Sequence, residues 1–136
     1  MINRRSTNDL LRDFAVAAIA RENATDKGDA RTANKYYDKL EDLYGEIRSR
    51  GKEAQQSFLA LLADSDLRVR YPAAARALDF APEAAIATLE ALAQRPGLLA
   101  SHARQLLKTW RAGELAFDEF GRIRPAKKPA PEDSRS

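Results

Sequence analysis

Between Ala33 and Ile47 the apolar residues fall at Ala33, Tyr36, Tyr37, Leu40, Leu43, Tyr44 and Ile47. Steps of three and four place all seven along one stripe of a helix, which a strand's two-residue alternation cannot do. A stripe this long must be covered by other helices. The rest of the chain supplies them.

Prolines and glycines fall mostly between periodic segments, and alanine, leucine, arginine and glutamate dominate, all good helix formers. A first helix is predicted over about 8–22, capped by Ser6, Thr7 or Asn8, with Leu11, Phe14, Ala15, Ala18 and Ile19 facing inward. Residues 23–28 read as a polar break. The second helix follows over about 29–50, with a bend possible at Gly45. A third covers 52–63 and a fourth 68–79, with Pro72 in its early turns. Pro82 opens a fifth, to about residue 94, and Leu98–Arg111 makes a sixth. Leu115, Phe117 and Phe120 could then pack as a short cap. The expected division is a helical domain over 1–120 and a disordered, proline-containing basic tail over 121–136.

Composition narrows the chemistry. The 136 residues contain no cysteine and one histidine, which excludes disulfides, thiolate catalysis, zinc–thiolate sites and a multi-histidine metal centre within one chain. No apolar run reaches the roughly 18 residues of a membrane span, and the first residues do not resemble a signal peptide. A soluble, cytoplasmic chain with no membrane association is the expectation. The net charge of +3 suggests a nucleic-acid binder until the charges are located. Residues 121–136 hold five basic and two acidic residues, which leaves 18 of each in residues 1–120. The tail carries the excess, and the body has no basic footprint of its own.

The segment from Phe58 to Ala74 runs leucines, then Asp64-Ser65-Asp66, then Val69-Arg70, then Ala73-Ala74. This order resembles the inter-helix turn of a HEAT-type repeat. Physically, an aspartate can cap the new helix while Arg70 reaches back to the turn, and the small alanines permit close packing. Together with Gly28-Asp29, Asn34, Tyr37, Leu40, Leu106, Trp110 and Gly113, the pattern is similar to an uncharacterised bacterial family of HEAT/armadillo-like domains in the domain-of-unknown-function series. The resemblance covers roughly residues 9–115. It implies an all-α fold, a short α-solenoid of three antiparallel helix pairs, and supplies no catalytic residues.

Candidate chemistry is thin. His102 sits among alanine and leucine with no nucleophile pattern, so a surface or structural role is expected rather than a general base. Asp38, Glu41 and Asp42 are interleaved with Lys35 and Lys39, which reads as surface ion pairing rather than a carboxylate metal cage. Asp26-Lys27-Gly28-Asp29 lacks the ligand run of a calcium loop and reads as a turn with a cap. Asn34 is expected to bond the preceding loop. Tyr36, Tyr37, Tyr44 and Trp110 read as core or edge packing rather than a stacking platform. No cofactor or metal is expected.

Charge distribution gives the one positive lead. In a stack of pairs the fourth and sixth helices share a face, and they carry Arg68, Arg70, Arg76, Arg104, Lys108 and Arg111. Arg70 is set aside for the repeat turn. The expectation is a non-enzymatic module that binds a protein partner with an acidic surface, as an adaptor or immunity-type binder, through Arg76, Arg104 and Lys108. The alternative is nucleic-acid binding through the same face with help from the tail. The sequence does not specify an oligomeric state.

Overall fold

The computed structural model describes residues 5–126. They form six α-helices: α1 (Thr7–Asp26), α2 (Ala30–Ser49), α3 (Lys52–Phe58), α4 (Leu67–Ala77), α5 (Pro82–Ala93) and α6 (Leu98–Arg111). A two-stranded antiparallel hairpin follows, β1 (Leu115–Phe117) and β2 (Ile123–Pro125), with Ala116 opposite Arg124. The domain is mostly helical.

Four departures from the sequence reading have local causes. α1 runs a turn further than expected because Ala24 is buried and the Thr25 hydroxyl donates to the Arg21 carbonyl. The third helix tightens after Phe58 into a 3₁₀ turn, Leu59–Ala63, a common way for a helix to end. Asn34 is exposed and bonds no loop among the described residues. Finally, residues 121–126 are not a disordered tail. β2 pairs with β1, and the Ala126 N–H donates to the Glu114 carbonyl at 2.9 Å. The small sheet also qualifies the all-α expectation. The rest of the expected tail, 127–136, lies outside the described residues.

α4 occupies the middle. Val69 and Ala73 face a first core built from Leu10 and Phe14 of α1, Leu40, Tyr44 and Ile47 of α2, and Phe58 and Leu61. Phe14 and Phe58 meet edge to face at 5.1 Å, and Tyr44 tilts against Phe58 at 5.2 Å, separations typical of favourable aromatic pairs. Ala74, Ala77 and Leu78 face a second core with Ala85, Leu89 and Leu92 of α5 and Ala103 and Leu107 of α6. The run of buried alanines lets helices approach α4 from both sides.

The turn into α4 forms as the motif suggested. Asp64 Oδ1 accepts the Asp66 N–H at 2.8 Å, Asp66 Oδ1 caps the helix by accepting the Arg68 N–H at 2.9 Å, and Arg70 Nε donates to the Asp64 carbonyl at 2.9 Å. Arg70 is occupied inside the fold.

Candidate functional site

α5 and α6 lie side by side and leave an open groove of about 800 Å³, lined by Glu90, Ala93 and Gln94 from α5 with its cap and by Arg104, Leu107, Lys108 and Arg111 from α6. Arg104, Lys108 and Arg111 follow at steps of four and three, so they project from one stripe of α6. The other side of that stripe is anchored by buried Ala100, Ala103 and Leu107. Arg104 and Lys108 are exposed. Arg104 Nη1 donates to the Ala93 carbonyl at 2.8 Å, which fixes the guanidinium at the lip of the groove. Arg111 pairs with Glu90 across the groove. Lys108 and Arg104 have no carboxylate in ion-pair range among the described residues.

Arg76 does not belong to this surface, and here the expected site is corrected. Its side chain is 3% exposed, turned into the protein toward Phe14 of α1 and Tyr37 of α2. Nη1 donates to the Pro72 carbonyl at 3.1 Å, and Nη2 reaches Glu41 Oε2 at 3.5 Å. The guanidinium lies 5.8 Å from the Phe14 ring centroid and 5.4 Å from that of Tyr37, within cation–π range. Burial pulls its pKa below the usual guanidinium range, and Tyr37 and Glu41 offset that only in part. Arg68 is likewise engaged, with Asp66 at 2.8 Å and Asn23 at 2.9 Å. Each arginine of α4 thus has partners within the fold, and of the expected trio only Arg104 and Lys108 lie exposed together, on α6.

Glu41, a surface acid by its sequence context, is buried. Besides Arg76, its Oε2 accepts the Ile123 N–H at 3.3 Å, and Oε1 faces Arg124 at 3.7 Å. A signal existed in the sequence: Glu41 and Arg48 fall in an i, i+4, i+7, i+11 row with Tyr37 and Tyr44 of the apolar stripe. That row receives the C-terminal hairpin. Arg48 Nη1 donates to the Glu119 carbonyl at 2.8 Å, and Arg122 pairs with Asp42 at 2.6 Å. A second groove, about 780 Å³, runs between α2 and the hairpin. Its cations Arg48 and Arg122 are both paired, with Asp79 and Asp42.

His102 is exposed, its ring 6.2 Å from that of Tyr71. Among the described residues no group of three or more His, Cys, Asp or Glu side chains could hold a metal ion. No helix among them is long and apolar enough to cross a membrane.

A mostly helical domain with a basic groove on its last helix pair is what the geometry defines. Residues 8–109 match the domain of unknown function DUF2019, and the chain belongs to that family. Its fold is shared with the crystal structure of the protein RPA1889 from Rhodopseudomonas palustris, at 21% identity and a TM-score of 0.78. The likeness covers 87% of this chain and 100% of that one. No curated protein matches the chain.

Proposed function

We propose that the chain is a short HEAT/armadillo-like solenoid of three antiparallel helix pairs, acting in the bacterial cytoplasm as a non-enzymatic protein-interaction module. Its ligand is an acidic segment of a partner protein, received by the α5–α6 groove. One observation carries this reading: among the described residues Arg104 and Lys108 have no carboxylate partner, at a groove whose acid, Glu90, is already taken by Arg111. Guanidinium and ammonium groups placed so can meet carboxylates without first breaking an internal ion pair. Rigid helical repeats commonly bind through such extended surfaces. Nucleic acid is the weaker alternative, since phosphate tracking wants a longer basic path and the arginines of α4 are engaged by partners within the fold.

The test compares wild type with the double reversal Arg104→Glu/Lys108→Glu as baits in native extract, with and without nuclease. A protein retained by wild type after nuclease treatment and lost by the reversal supports the proposal. Retention of that protein by both baits sinks it. Loss of the capture on nuclease treatment moves the assignment to nucleic acid.

A further inference from the structure

Arg21 of α1 and Arg76 of α4 face the same aromatic ring. Their guanidinium carbons lie 5.1 and 5.4 Å from the Tyr37 centroid. Each carries an Nε–H that is shut off from solvent and has no acceptor. Native folds rarely leave a buried donor unmet, and on a charged group the penalty is larger.

The charge count is unbalanced in the same place. Glu41 approaches Arg76 only at 3.5 Å and also serves Ile123 and Arg124. Arg21 has no carboxylate in ion-pair range among the described residues. Glu41 is therefore divided between Arg76 and Arg124, Glu22 acts on Tyr71 only at longer range, and the charge of Arg21 is left without an ion pair among the described residues. Tyr71 lies within electrostatic range of both arginines. Neither its hydroxyl nor that of Tyr37 has a hydrogen-bond partner among the described residues. Arg21, Tyr37 and Tyr71 are half-buried and border solvent, while both Nε–H groups and the whole of Arg76 lie beneath them, so a ligand enters by displacing these side chains.

We propose that Arg21, Arg76, Tyr37 and Tyr71 form a binding site for a carboxylate monoanion. A planar carboxylate can accept from both Nε–H groups, with the phenols as further donors. A single negative charge neutralises the excess, whereas a dianion would reverse it. The carboxylate can belong to a free organic acid or to a peptide. The site lies on α1, α2 and α4, apart from the α5–α6 groove, and does not depend on it.

The test follows the arginine Nε–H signals of the full chain by NMR, assigned with Arg21→Lys and Arg76→Lys. Sodium acetate and a short peptide ending in glutamate are titrated against sodium chloride at equal ionic strength. Saturable shifts of both Nε–H signals with acetate, absent with chloride, are expected. Arg21→Lys and Tyr71→Phe, both at half-buried positions, keep the test open if Arg76→Lys fails to fold. Arg21→Lys should weaken acetate binding by about tenfold or more, with the circular dichroism unchanged. Tighter binding of the peptide than of acetate assigns the site to a peptide carboxylate, and equal or weaker binding to a free acid. Signals that acetate leaves unmoved, shifts that survive Arg21→Lys, or tighter binding of inorganic phosphate dianion would overturn the proposal.

Discussion

Tyr44 donates its phenolic hydrogen to Asp79 Oδ2 at 2.6 Å, which ties the C-terminal half of α2 to the second residue past the end of α4. Arg48 Nε donates to the same oxygen at 2.8 Å. Tyr44→Phe removes one of these bonds to a charged acceptor and should cost about 1.5–3 kcal/mol by denaturant unfolding. Burial, and then the bond to Asp79, push the Tyr44 phenol above its ordinary range. The unfolded chain ionises its tyrosines near pH 10. The contribution of Tyr44 is therefore complete below about pH 10 and is lost as the pH rises through the folded-state value. Wild type should lose stability more steeply than Tyr44→Phe on the alkaline side. Parallel alkaline profiles would contradict this.

Arg76 and Glu41 make a second prediction. Replacing one member strands the other in the interior, so Arg76→Met or Glu41→Leu should each cost about 3–5 kcal/mol. The double replacement should cost less than the two added together, and the coupling is read from a double-mutant cycle of denaturant midpoints. Additive losses would mean that the pair does not interact at its 3.5 Å separation.

The C-terminal hairpin leans on two glycines. A Cβ at Gly45 would come within 3.0 Å of the Phe120 carbonyl oxygen. Gly121 has φ +80°, and a Cβ there would meet Arg48 Cδ at 2.7 Å. Alanine at either position should loosen the hairpin from α2 while leaving the helices in place. Limited proteolysis should then cut faster after Phe117, with helical circular dichroism intact. Unchanged cleavage would show that the hairpin is held elsewhere.

Asp66 caps α4, and the hydrogen-bonded Arg68 side chain holds its carboxyl below the usual range. Its contribution is present above the unfolded carboxylate value near pH 4 and is lost as the pH falls through the lower folded value. Asp66→Ala should cost about 1 kcal/mol at neutral pH. It should also flatten the decline in melting temperature below pH 4. A variant as acid-sensitive as wild type would assign that decline to other carboxylates.

Helix positions were readable because periodicity and breakers are local. The stripe from Ala33 to Ile47 and the stops around Gly51, Pro82 and Pro96 needed no tertiary information. The Asp64–Arg70 turn was readable for the same reason: its bonds join residues at most six apart. What the sequence concealed were encounters between distant segments. Nothing near Arg76 in the chain announces Glu41, 35 residues away, and an arginine late in a helix looks solvent-facing until its neighbours are placed. The exposure of Arg104 and Lys108 on one stripe of α6 was legible because helical spacing alone sets it. The hairpin was hidden because β1, whose Leu115 and Phe117 pack on the second core, is too short to show an alternation, and the rest of the hairpin is held by Glu41, Asp42 and Arg48 from distant α2.

The position of α4 bears on how the domain comes apart. It lends Val69 and Ala73 to one core and Ala74, Ala77 and Leu78 to the other, while Leu62 and Phe80 pack against both. A wall shared in this way makes the two halves cooperative. Loosening either core withdraws support from the opposite one, so heating should reveal a single transition sensed equally by Tyr44 on one side and Trp110 on the other.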